Sequence, residues 1–330
     1  MSKRSKRRAE KRLKALKAEQ KVQKHVEQPE VRKADKRGFC QRIYEDKYRL
    51  LLVIPMVLLF LAIVQIAVQT ATTGDFIIKD VSLKGGVTIT IPAEQEFRLE
   101  AVQDRLRDAF PGNDFSTRIL SSLGKTVGLV IEADISHEQR DSFISEVSNI
   151  VGMDREDFSI EEIGSSLGAS FFRQTMIALL IAFLFMGVVV FLYFKTFVPS
   201  IAVILAAFSD IVVTLAIVNV LGIKISTAGI AAFLMLIGYS VDTDILLSTR
   251  VIKRKEGSIM ERIYSALRTG LTMNMTTLAA VTIGMFMAKS DVLVQIMTII
   301  FIGLLVDMIN TWIQNVGILR MYMERKNVED

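Results

Sequence analysis

Six stretches of the chain are apolar over lengths that cross a bilayer as helix, which takes about 20 residues. Leu50–Gly74 holds no charge over 25 residues, Gln174–Phe194 none over 21 and Thr269–Ala288 none over 20. Three more runs carry only aspartates: Thr196–Ile223 with Asp210, Ile225–Thr249 with Asp242 and Asp244, and Val292–Leu319 with Asp307. The pattern predicts a polytopic α-helical membrane protein with six transmembrane helices.

Between the first and second runs the periodicity becomes that of a soluble domain. Val81–Ile91 alternates and is rich in Val, Ile and Thr, so it predicts a strand ended by Pro92. From Glu94 to Phe110, the residues Leu99, Val102, Leu106 and Phe110 recur at helical spacing, and Pro111-Gly112-Asn113 breaks the helix. Phe115–Leu120 and Val127–Ala133 read as strands around a turn at Leu123-Gly124-Lys125. Ser136 with Gln139 has the spacing of a capping box for a second helix through Val151, and Phe158–Ile163 fits a last strand. The order βαββαβ is that of a small α+β ferredoxin-like domain. Gly164–Gly168 reads as a flexible joint into span two. The expected organisation is a basic arm (1–49), transmembrane helix 1 (50–69), an exterior domain (70–168), transmembrane helices 2–6 (169–320) and a tail (321–330).

Charge sets the expected orientation. Residues 1–49 carry 18 Lys and Arg against 7 Asp and Glu, whereas residues 70–173 carry 10 against 18. With the N-terminus inside, the basic arm, Lys195, the loop Arg250–Arg268 and the tail after Arg320 all fall on the cytoplasmic side, as the positive-inside rule requires. The expected location is therefore the cell membrane, with both termini cytoplasmic and residues 70–168 outside. An uncharged run of 25 residues behind a long basic lead is too long for a cleaved signal peptide. Cys40 is the single cysteine, so the exterior domain has no internal disulfide. Met1–Gln28 reads as a solvated helix or disordered arm that touches anionic membrane lipid. It has no interleaved aromatics for stacking on bases, and no nucleic-acid partner is expected.

Catalytic chemistry finds little support. Gly124-Lys125-Thr126 lacks the upstream glycine of a phosphate loop. The two histidines, His25 and His137, lie outside the spans, which argues against a metal site. Asp242 with Asp210 or Asp307 could supply the pair of an intramembrane aspartyl protease, but Tyr239-Ser240-Val241 stands where that family has Gly-x-Gly before its aspartate. No enzyme activity and no cofactor are expected.

The polar residues inside the spans are the candidate site. A carboxylate at the centre of a spanning helix costs roughly 2.5–3.5 kcal/mol on insertion scales, so such residues usually face a protein interior or a water path. Asp210 and Asp307 lie at the centres of spans three and six, and Asp242 about 7–8 Å past the centre of span four at 1.5 Å per residue. Asp242 and Asp244, two apart, point to nearly opposite sides of their helix. Asp242 is the expected interface residue and Asp244 is expected off that face. Asp307, Asn310, Thr311 and Gln314 form one stripe on span six. Thr269, Thr272 and Thr276 form a similar one on span five, beside Asn274 and Thr277. Ala228, Ala232 and Gly238 permit close helix approach on span four. Such stripes serve either as hydrogen-bonded glue between helices or as a proton path.

These residues carry a resemblance. Leu83-Lys84-Gly85-Gly86 after span one, Asp210-Ile211-Val212-Val213-Thr214-Leu215, Leu221-Gly222-Ile223, Ile237-Gly238-Tyr239-Ser240-Val241-Asp242-Thr243-Asp244 leading into Arg250, and Ala266-Leu267-Arg268-Thr269-Gly270 resemble the SecF family in its archaeal form, from about Ile43 to the end. That family belongs with SecD to the resistance-nodulation-division superfamily. The resemblance implies a six-helix half unit of that superfamily which pairs with SecD and assists protein export through the SecY/SecE translocon, its exterior domain meeting the exported preprotein. It also implies that Asp210, Asp242 and Arg250 stand at family positions, with a role in proton flow possible for the carboxylates. Bacterial members have Asn-Asp-Thr where this chain has Asp242-Thr243-Asp244, which displaces each carboxylate by one residue, about 100° of helix. The competing readings are a passive scaffold that stabilises SecD and an exporter of lipids or small molecules.

Overall fold

The structure is a computed structural model that describes residues 39–92, 98–113, 115–122, 125–288 and 290–329. The arm Met1–Gln28, His25, residues 93–97 of the expected helix and Leu123-Gly124 of the expected turn lie outside the described residues. Phe39–Asp46 forms a short helix by itself, with Gln41 Nε2 donating to Glu45 Oε1 at 2.8 Å.

Six helices are long and apolar enough to cross a membrane: Tyr48–Thr73, Ser166–Phe194, Phe197–Val220, Thr227–Ile252, Ile259–Met287 and Val292–Lys326, spans one to six in order. Local chemistry sets several of their ends. Gly74, in the left-handed conformation at φ 79°, closes span one. The Ser226 side chain caps span four by accepting from Gly229 N, and Ser258 with Glu261 forms a full capping box on span five. Spans three and four form the centre, packed on each other and on span six. Span one rests on span three, span two on three and four, and span five on four and six. Spans one and two are consequently exposed along most of their length.

The domain between spans one and two holds a sheet of β1 (Gly86–Pro92), β2 (Phe115–Ser122), β3 (Lys125–Ala133) and β4 (Ser159–Ile163). Its order is β2-β3-β1-β4 with every pairing antiparallel. Helices α1 (Leu99–Ala109) and α2 (Arg140–Val151) contribute Val102, Leu106, Phe143, Ile144 and Val147 to the core formed with Val87, Ile89, Ile91, Leu129 and Ile131. This is the ferredoxin-like arrangement that the βαββαβ order predicts.

Three local expectations are corrected. The strand begins at Gly86 and not at Val81, because the Asp80 side chain accepts from Val81 N and starts a helical turn over Val81–Lys84. Gly85 and Gly86 then turn the chain at φ 90° and 135°, and a Cβ on Gly86 would lie 2.3 Å from the Ala133 carbonyl oxygen. Lys84, Gly85 and Gly86 therefore make a backbone turn. Ser136 does not cap the second helix; a 3₁₀ turn over His137–Gln139 intervenes and α2 starts at Arg140. Finally, Gly164–Gly168 is not a loose joint. The helix of span two starts at Ser165, and Gly168 packs so tightly that a Cβ there would lie 2.8 Å from Gly85 N.

The domain is stitched to the bundle by backbone. Lys79 pairs with Ile225 in a parallel bridge, with Ile225 N donating to Ile78 O at 2.7 Å and Asp80 N to Ile225 O at 3.0 Å. Around it, Asn219 Nδ2 donates to Phe76 O at 3.0 Å, Thr227 N to Ser82 Oγ at 3.2 Å, and Gln295 Nε2 to Lys224 O.

Candidate functional site

The centre of the bundle is polar. Asp210 on span three, Asp244 on span four and Asp307 on span six are each no more than 1% exposed. Asp210 accepts from Ser240 Oγ on span four and from Asn310 Nδ2 on span six at 2.8 Å. Asp307 accepts from Asn274 Nδ2 on span five at 3.2 Å and from Thr311 Oγ1 at 3.0 Å. Asp244 accepts from Asn315 Nδ2 on span six at 2.7 Å. Gln314 Nε2 donates to Ser209 Oγ at 3.3 Å, and Tyr239 Oη reaches Asn274 Oδ1 at 3.2 Å and Thr277 Oγ1 at 2.9 Å. Together these hydrogen bonds tie spans three, four, five and six to one another.

The five donors to the three carboxyls are all neutral, so each aspartate is held by dipoles. Ser248 Oγ and the oxygens Asp244 Oδ2, Gln314 Oε1 and Asn315 Oδ1 are buried without a hydrogen-bond partner among the described residues. Three acceptor oxygens, one on a carboxyl and two on carboxamides, are thus left without donors there.

Helical phase decides which residues enter. On span four, Ser240, Asp244 and Ser248 recur every fourth residue on the buried face, in line with Ile237, Leu247 and Val251. Asp242 lies across the helix and is exposed, on the side of Met235 and Gly238. The expectation for the two aspartates is therefore reversed: Asp244 is the interface residue and Asp242 is not. Gly238 likewise faces open space, with nothing among the described residues within 4 Å of its Cβ position, so it closes no helix contact there. On span five the buried line runs through Ile263, Ala266, Gly270, Asn274, Leu278 and Val281. Thr272 and Thr276 are exposed and bond to their own helix, at Arg268 O and Thr272 O. Arg250 stands apart from the carboxyls. Its Nη1 donates to Ser265 O at 2.5 Å and Ser265 Oγ at 3.0 Å, tying the end of span four to the start of span five.

The span-six stripe enters as expected, with one addition. At regular helical spacing Asn315 would stand about 80° from Asp307. Asn310–Asn315 is a π-helical segment, whose wider turns advance each residue less, and this brings Asn315 back toward Asp244. Nothing in the sequence marks that segment. The Ser240–Asp244–Ser248 spacing, by contrast, is a legible signal for Asp244.

Residues 143–325 match the family model described as protein export membrane protein SecD/SecF, C-terminal. The chain is 36% identical over 284 residues to the protein-export membrane protein SecF of Methanocaldococcus jannaschii, covering 84% of this chain and 96% of that one. It is 37% identical over 286 residues to the SecF of Methanolacinia petrolearia, covering 86% and 95%. In fold it is similar to the crystal structure of SecDF, a translocon-associated membrane protein, from Thermus thermophilus, with a TM-score of 0.66 and 20% identity over 84% of this chain. The chain spans 38% of that longer protein.

Proposed function

Since the chain belongs to the SecD/SecF family of protein-export membrane proteins, we propose that it is the SecF-type accessory subunit of a SecD-containing complex that assists protein export. In this reading it sits in the cytoplasmic membrane with both termini inside and the sheet domain outside, next to SecD, the SecY/SecE channel and the emerging preprotein. The strong basic excess before span one and the acidic excess of the sheet domain support that orientation.

The observation that carries a proton-coupled role is the buried set Asp210, Asp244 and Asp307, held by neutral donors from spans four, five and six. A carboxyl fixed by dipoles can change protonation by rearranging its donors, and such a rearrangement moves helices. The same hydrogen bonds favour a second reading, a scaffold in which the network is only glue, because each bond between spanning helices contributes roughly 0.6–2 kcal/mol. Asp210→Asn and Asp307→Asn separate the two. Both keep the shape and abolish the charge change, at the cost of replacing one acceptor oxygen with a donor amide nitrogen. Under proton coupling, proton-gradient-dependent export falls at least about tenfold while co-purification with SecD persists. Unchanged export with intact assembly would leave the scaffold reading standing.

A further inference from the structure

The sheet has a second face that the helices do not cover. Directly opposite across the strands, Ser116, Glu132, Thr88 and Glu161 line up on that face. Polar side chains there are expected, but Glu132 is only 2% exposed. The Asp80 carboxyl, on the segment that leads into the sheet, reaches it, and the Lys224 charge on the loop between spans three and four acts on it. Arg118 on β2 donates to Glu132 Oε1. Glu132 Oε2 is buried without a hydrogen-bond donor among the described residues, and the carboxyl has the acceptor-only carboxylate of Asp80 within reach.

Two adjacent carboxylates cannot bond to each other, but a carboxyl and a carboxylate sharing one proton can. Asp80 also holds the joint together: its backbone N donates to Ile225 O at 3.0 Å and its side chain caps Val81 N at 2.7 Å. We propose that Glu132, seated beside Asp80, is a proton-binding latch between the sheet domain and the outer end of spans three and four, closed while Glu132 carries a proton it can donate to Asp80 and loosened when Glu132 ionises. The groups facing Glu132 are Arg118 from β2, neutral Ser116 and Thr88 from the neighbouring strands, Asp80 from the linker and Lys224 from the loop; Glu161 on β4 is exposed. The two cations favour ionisation, yet burial first and the Asp80 charge second push the Glu132 carboxyl up to about 7. The latch is thus set to respond near neutrality. It is separate from the membrane aspartates and stands whether or not they carry protons.

The test is a spin-label distance measurement on the full chain in nanodiscs, with Cys40→Ser as background and labels at Ser159→Cys on the sheet and Leu221→Cys at the end of span three. Both label positions are exposed. The distance distribution is expected to be narrow at pH 5.5 and broad at pH 8.5, with the open population rising at least about tenfold and the midpoint near 7. Glu132→Gln is expected to remain narrow throughout. Asp80→Asn should do the same, and because Asn caps as well as Asp, it keeps the helical turn over Val81–Lys84. A wild-type distribution that is the same at both pH values overturns the latch. So does a transition that survives unchanged in both variants.

Discussion

Asn315 is the side chain on which the position of Asp244 depends most directly. Its amide supplies the recorded donor to Asp244 Oδ1, in a place no water-exposed group can replace. Asn315→Ala is expected to destabilise the purified chain by about 1–3 kcal/mol, the cost of leaving a buried polar group unsatisfied, read as a lowered thermal midpoint in detergent. Asp242→Asn on the exposed side of the same helix is expected to stay within about 0.5 kcal/mol of the parent. Equal effects at the two positions would contradict the helical phase described above. A second residue-scale prediction concerns Glu132. Its carboxyl is raised from 4.5 to about 7 in the folded protein, so the folded state binds the extra proton. Stability is then highest below about 4.5, falls as pH rises from 4.5 to 7, and is flat above. Melts across that range should show a loss on the order of 3 kcal/mol in the parent and a flat line in Glu132→Gln. At this scale the sequence told which residue types enter the membrane but ranked Asp242 and Asp244 in the wrong order. It treated the family's motif position as the interface, whereas Ser240 and Ser248, each four residues away, mark Asp244.

At the scale of elements, one glycine governs how closely span five approaches the π segment. A Cβ on Gly270 would lie 2.2 Å from Trp312 Cζ2, so the helices pack through a gap that no side chain fits. Gly270→Ala should cost about 1–3 kcal/mol by overpacking, and Gly270→Ala combined with Trp312→Leu should recover part of it. If the single variant melts like the parent, the close approach is wrong. The six spans, the sheet order and the span-six stripe were legible because long apolar runs and period-two alternation dominate their segments. The misread elements share a cause. Val81–Lys84 alternates like a strand, yet one capping contact from Asp80 makes it helical. On span five the threonines outnumber Asn274 and suggested a polar face, while the run Ile263, Ala266, Gly270, Asn274, Leu278, Val281 shows the buried one. A π segment has no signature in residue type, and so Asn315 stayed outside the expected stripe.

For the whole molecule, the proposed orientation makes a direct prediction. In sealed spheroplasts of the Cys40→Ser background, an impermeant maleimide should label Ser159→Cys on the sheet domain. It should label Glu256→Cys, in the loop between spans four and five, only after permeabilisation. The opposite pattern would invert the topology and with it the side from which a proton reaches the Glu132–Asp80 latch. The bridge between Lys79 and Ile225 adds a mechanical consequence. The segment that leads into the sheet and the loop that joins the two aspartate-bearing central helices are hydrogen-bonded backbone to backbone, with no side-chain slack between them. Spans three and four therefore act on the sheet domain as a crank acts on an arm. A tilt of a few degrees about their buried carboxyls would be delivered at the bridge as a displacement and enlarged at the far edge of the sheet.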